Sequence, residues 1–334
     1  MKVMQRTVNT FLILFYISVK AQISPEDFGF RHFQYVMEND TLEVLIKSKK
    51  GEEHIKKPLL FSIQGSRAIP LIIHNGTQRT FATSIEEGFF EDDYHIVIVN
   101  KPGVPLISHK DSLDRRREYF IDKKTKTHPK AYIENNNLEY YVKTNKFIVE
   151  KLLKESWVDP SRLVVSGHSQ GSSIALGMAD EIPQVTHLIY SSGLPYYSTI
   201  LSIIARKRMH GGSKADIEED FEYWKAIVND PLSVSNEGRD SYRMMSSFSI
   251  NENEILKRLN IPVLISYGTK DESSPYHDMF RVECIKDSIS HITWNVYQDL
   301  GHNYQLQKET TTENEKTDYL PVVVTDWISW LKEN

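Results

Sequence analysis

Short apolar runs alternate along the chain with segments of helical spacing. Pro58-Leu59-Leu60-Phe61-Ser62-Ile63 and Tyr94-His95-Ile96-Val97-Ile98-Val99 are nearly continuous apolar runs, the pattern of strands buried on both faces. Arg162-Leu163-Val164-Val165-Ser166 and residues 186–190, 261–267 and 291–297 predict four more strands. Residues 32–37 and 41–47 flank Glu38-Asn39-Asp40 and predict an N-terminal hairpin. Leu138, Tyr141, Val142, Asn145, Ile148, Leu152 and Leu153 recur at helical spacing, which predicts a helix over 136–155. Residues 173–179 predict another, with small residues that permit close packing, and 319–331 a last one that docks Trp327 and Trp330 on the core. Alternation of this kind points to an α/β architecture, a mainly parallel sheet with helices on both faces.

Residues 196–254 break the rhythm, with helical patterns and no strand-like run. Ile200, Ile203 and Ile204 lead to a stop at Gly211-Gly212. A second helix starts from a Ser213 cap, carries Ile217, Phe221, Trp224 and Val228 on one predicted face, and ends at Pro231. The stretch reads as a helical lid inserted over the edge of the sheet.

The N-terminus has a different character. Lys2 and Arg6 precede the apolar run from Phe11 to Val19, and Val19-Lys20-Ala21 places small residues where a signal peptidase cuts. We expect residues 1–21 to be a cleavable signal peptide and 22–334 the mature domain, secreted or periplasmic. The run is too short for a membrane span of roughly 20 residues, so no stable membrane insertion is expected after cleavage. The 334 residues hold 40 basic and 45 acidic side chains, a formal charge of -5, which gives no basis for a nucleic-acid partner. The single cysteine, Cys284, precludes an intramolecular disulfide and clustered-thiolate metal sites. No metal or cofactor is expected, because zinc-helix, phosphate-loop and dinucleotide motifs are all missing.

The chemistry concentrates in Gly167-His168-Ser169-Gln170-Gly171. This G-x-S-x-G pattern follows a predicted strand and precedes a predicted helix, the context in which a tight turn thrusts a serine above a sheet. The Gln170 amide then stands at a helix N-terminus, suited to a developing oxyanion. A serine hydroxyl needs a base, and the base needs an orienting acid. The strand 261–267 runs into Asp271, with Glu272 and Asp278 as fallbacks, and the strand 291–297 runs into His302. His277 precedes the last strand, and His168 neighbours the serine, so His302 is the expected base. The second oxyanion donor is expected after strand 58–63, from the amide of Ser66 or next of Arg67. His210-Gly211-Gly212 looks similar but follows the serine between helices.

The elbow at 167–171, the Lys270-Asp271 turn and the Gly301-His302-Asn303-Tyr304 turn together resemble the α/β-hydrolase superfamily over about residues 30–334. That resemblance implies an eight-stranded central sheet and a lid after the sixth strand. Val158-Asp159-Pro160-Ser161-Arg162 also looks like prolyl oligopeptidase-type catalytic domains and related esterases. Position 172 is Ser where those peptidases usually carry Gly, and the chain has no room for their N-terminal propeller. The expectation is an exported serine hydrolase that cleaves small esters without a cofactor. The alternatives are a peptidase acting on short peptides and a catalytically silent binding protein of the same fold. Arg115-Arg116-Arg117 with Lys123, Lys124, Lys126 and Lys130 is a basic patch in the excursion 101–135, expected near the mouth of the site. The alternatives are a surface that attracts an acidic substrate and, as the expectation, a solvated loop whose charge Asp114, Glu118 and Asp122 dilute. Tyr196, Tyr197, Tyr223 and Trp224 are candidates for pocket walls or for plain packing.

Overall fold

The computed structural model describes residues 23–76, 79–81, 88–234, 240–306 and 318–334. The expected signal peptide lies outside the described residues. The main sheet has eight strands: β1 (Phe30–Met37), β2 (Asp40–Lys47), β3 (Lys57–Ile63), β6 (His95–Val99), β8 (Val158–His168), β9 (His187–Ser191), β10 (Val263–Gly268) and β11 (Ile292–Tyr297). Their order is β1-β2-β6-β3-β8-β9-β10-β11. The β1–β2 and β2–β6 pairs are antiparallel and the rest are parallel.

Period-2 alternation explains the continuous apolar runs. Leu59, Phe61, Leu163, Val165, Leu188, Tyr190, Val263 and Ile265 enter one buried cluster. The intervening Leu60, Val164, Ile189 and Leu264 enter another on the opposite face. The first face is covered by α2 (Leu138–Leu152), α3 (Gln170–Glu181) and α8 (Ser274–Lys286), the second by α9 (Leu320–Glu333). In α9, Trp327 and Trp330 are buried as expected, and Trp327 Nε1 donates to Ser266 Oγ at 3.0 Å.

The sequence predicts no element between β3 and β6 and reads the excursion 101–135 as loop, yet β4 (Ile72–His74), β5 (Arg79–Phe81) and β7 (Ile107–His109) form a small second sheet, and α1 (Lys130–Asn135) precedes α2. Three-residue strands carry too little pattern to be seen in sequence. The insertion holds α4 (Ser198–Met209), α5 (Lys214–Asn229), α6 (Tyr242–Ser247) and the start of α7 (Glu252–Arg258). Its α5 does not bury the expected stripe. Ile217, Asp220 and Ile227 are buried, while Phe221 and Val228 are exposed. The face turns because Asp220 is drawn inward to Lys207 of α4, 2.7 Å away.

Candidate active site

The strand order places the site. The chain leaves β3 to build β6 on one side and returns to build β8 on the other, so the carboxyl ends of β3 and β8 flank the topological switch point, where open α/β sheets bind ligands. Ile63 is in register with Gly167, which sets the loop Gln64-Gly65-Ser66 beside the turn that carries Ser169.

That turn is strained. Ser169 has φ 57° and ψ -127°, outside the regions ordinary residues prefer. Its N–H donates to Ser191 O of β9 at 2.9 Å. The flanking glycines are sterically required. A Cβ on Gly167 would fall 1.9 Å from Gly171 O, and one on Gly171 would fall 2.6 Å from Ile63 O. The N–H groups of Gln170 and Ser66 donate to no acceptor among the described residues. Gln170 stands at the positive end of α3. Ser66 borders the serine's cavity, and its carbonyl accepts from Tyr132 Oη at 2.7 Å.

Of the three candidate acids, Asp271 is the one joined to His302. Its Oδ2 lies 3.0 Å from His302 Nδ1, its Oδ1 accepts from the Ser273 N–H at 3.0 Å, and it is fully buried. Glu272 pairs instead with Arg206 at 2.8 Å, and Asp278 accepts from Tyr267 Oη at 2.8 Å. Burial alone would raise the Asp271 carboxyl, but the His302 hydrogen bond and charge outweigh it and hold it at about 2. The same contest runs the other way on His302: burial lowers its imidazole, yet the bond to Asp271 leaves it above the ordinary histidine value. Asp271, Glu272 and His302 bring possible metal-ligand atoms within 4.8 Å of one another. Each carboxylate already has a nitrogen partner, so the group reads as a hydrogen-bonded network.

Ser169 and His302 border one cavity of about 760 Å³, without a hydrogen bond between Oγ and Nε2. Beneath them lies a polar network that sequence reasoning missed. His168 Nδ1 meets Ser191 Oγ at 3.0 Å, Ser191 Oγ meets Tyr304 Oη at 2.6 Å, and Tyr304 Oη meets Ser266 Oγ at 2.8 Å. Tyr304 is fully buried and so pins the turn that carries His302. Burial, and then the charge of His302, push His168 down to about 3, so it stays neutral beside the serine. Among the described residues, Tyr196, Tyr197, Tyr223 and Trp224 do not border the cavity. Tyr196, Tyr223 and Trp224 pack against the core instead.

Gln64 also borders a second cavity of about 340 Å³. Lys101 Nζ, Ser62 Oγ, Gln64 Oε1, Asn100 Oδ1 and Asn145 Oδ1 are buried there without a hydrogen-bond partner. Burial pushes the Lys101 ammonium down to about 7, and the rings of Tyr132 and Tyr141 lie 5.6 and 5.7 Å from its Nζ. Below about pH 7 the folded protein holds a buried cation that the unfolded chain solvates freely. That penalty fades as pH rises from about 7 toward 10.5, because the folded amine is neutral there. Lys101→Met is therefore expected to raise the thermal midpoint by several degrees at about pH 6, with a gain that narrows toward pH 9. Calorimetry at both pH values measures it, and an unchanged or lower midpoint at about pH 6 contradicts the account.

The strand order, the strained serine turn at the end of β8 and the flanking helices define an α/β-hydrolase fold. Solved structures that share it include the following three. Est1E from Butyrivibrio proteoclasticus superposes with a TM-score of 0.53 at 17% identity, over 90% of this chain and 98% of that one. The 2,6-dihydroxy-pseudo-oxynicotine hydrolase gives 0.54 at 14% identity, over 90% and 67%. The Pyrococcus horikoshii acylaminoacyl peptidase gives 0.54 at 16%, over 91% of this chain and 41% of the peptidase. No protein-family model matches the sequence, and no curated protein matches it.

Proposed function

We propose that the protein is a serine hydrolase that cleaves carboxylic esters through an acyl-enzyme. Ser169 Oγ attacks the acyl carbon and passes its proton to His302 Nε2. The tetrahedral oxyanion takes hydrogen bonds from the N–H groups of Gln170 and Ser66. His302 returns the proton to the departing alcohol. Water then attacks the acyl-enzyme, gives a proton to His302, and the acid leaves as Ser169 regains its hydrogen. Asp271 holds the imidazole tautomer and stabilises the imidazolium. The serine–histidine bond tightens when substrate binds, as is common for sites whose free form is looser.

One observation carries the reading: a serine on a strained elbow shares a cavity with an imidazole whose other nitrogen is held by a buried carboxylate. The ester preference draws support from Est1E, which the superposition spans almost end to end and which is also solved with ferulic acid bound, a carboxylic acid of the kind ester cleavage releases. Export is part of the proposal and rests on the pattern of residues 1–21.

A fluorophosphonate probe tests it. The expected result is stoichiometric labelling at Ser169. The rate should fall as pH drops through the His302 value, at a midpoint above the ordinary 6.5, because only the neutral imidazole accepts the serine proton. Failure to label the folded protein, or equal labelling of Ser169→Ala, removes the proposal. Short peptide amides assayed beside p-nitrophenyl esters separate the peptidase alternative.

A further inference from the structure

Five arginines, Arg67, Arg115, Arg116, Arg117 and Arg206, line the cavity that holds Ser169 and His302. In sequence the charge of Arg115-Arg116-Arg117 looks diluted by Asp114, Glu118 and Asp122. The fold turns two of those three acids to loop backbone. Asp114 Oδ1 turns back to accept from the N–H groups of Arg116 and Glu118, each at 2.8 Å, and Asp122 Oδ1 does the same for Lys124 at 2.8 Å. Glu118 forms an ion pair with Arg116, Oε1 to Nε at 3.6 Å, and among the described residues with none of the other cavity arginines. None of these three acids borders the cavity. Among the described residues the one acid that does is Glu272, and Arg206 already pairs with it at 2.8 Å.

The cluster is also tied to the reaction site. Arg67 follows Ser66 directly, and its Nη1 donates to Arg116 O at 2.7 Å, which fastens the arginine loop to the loop that carries the Ser66 amide. Burial and then the charge of Arg116 hold the Arg67 guanidinium below its ordinary value, with Arg117 adding to the repulsion and Glu118 and Asp114 opposing it. Like charges gathered at a reaction cavity, in a chain of formal charge -5, raise the local concentration of anions there. A planar guanidinium fork matches carboxylate and phosphate oxygens two at a time.

We propose that this cavity selects esters that carry a carboxylate or phosphate beside the scissile group, and that Arg67, Arg115 and Arg117 bind that anion. The proposal rests on the ester-hydrolase reading and narrows its substrate class.

Paired esters test it. p-Nitrophenyl hemiglutarate against p-nitrophenyl pentanoate places the charge on the acyl side. para-Acetoxybenzoate and para-acetoxyphenyl phosphate against methyl para-acetoxybenzoate place it on the leaving group and distinguish carboxylate from phosphate. In at least one pair the wild type should favour the anionic ester by about tenfold or more in kcat/KM. That preference should shrink as salt is raised to about 0.5 M, because screening acts on the charged partner. In Arg115→Gln/Arg117→Gln the charged-to-neutral ratio should fall by about fivefold or more. The salt series uses the wild type alone, so it stands even if the double variant folds poorly. Turnover of neutral esters with no anionic preference and no salt effect overturns the anion proposal and leaves the hydrolase reading intact. No turnover of any ester together with no fluorophosphonate labelling overturns both.

Discussion

Ser169→Ala is expected to lower kcat/KM for p-nitrophenyl esters by on the order of 10⁴-fold or more while leaving the thermal midpoint close to wild type. The hydroxyl is the only atom removed, and the turn that holds it is built from neighbouring backbone: Ser169 N–H to Ser191 O at 2.9 Å and Ser172 N–H to Ser169 O at 2.9 Å. His302→Ala should cost about as much. The double variant should cost scarcely more than either single change, because nucleophile and base act as one unit. That lack of additivity is the sharper reading. If the two losses multiplied, Ser169 and His302 would be acting independently, and the proton transfer assigned to them would be wrong. Initial rates with excess ester, corrected for spontaneous hydrolysis, are sufficient.

The second large effect is structural. Gly167→Ala should abolish the folded protein or lower its stability by about 4 kcal/mol or more, beyond the range of most single substitutions. The new methyl would stand 1.9 Å from Gly171 O and 2.2 Å from Gly171 C, backbone atoms that cannot swing aside. Gly65→Ala is the matched control. Its methyl meets nothing nearer than His168 O at 3.6 Å, an ordinary contact, so its melting temperature should stay near wild type. Soluble yield and melting followed by circular dichroism separate the two. A Gly167→Ala protein that melts like wild type and still takes the probe would mean that the serine turn is not packed as described.

Much of the architecture was legible because the signals are local. Strand 58–63 and the strand around 162–166 alternate between two buried faces, so their apolar runs announce a covered parallel sheet without reference to any distant residue. The serine turn was legible for a related reason: glycine at 167 and 171 is what a backbone crowded to that degree requires. The C-terminal helix likewise showed its buried tryptophans by spacing. Where the expectation failed, a long-range partner had intervened. The face of α5 follows the pairing of Asp220 with Lys207, and no spacing rule foresees that an acid will be buried.

Strand periodicity, the elbow and the order of the serine, acid and histidine along the chain could be read from residues alone, because each depends on neighbours a few positions away. Which acid meets His302 was decided in three dimensions. Asp271 and Glu272 are adjacent, yet one is buried against the imidazole and the other is paired with Arg206. The buried Lys101, the tyrosine that anchors the histidine turn and the arginines around the cavity were decided there as well. Contacts between segments from about thirty to more than a hundred residues apart depend on which strands lie side by side and which way each loop leaves the sheet, and local composition does not record either.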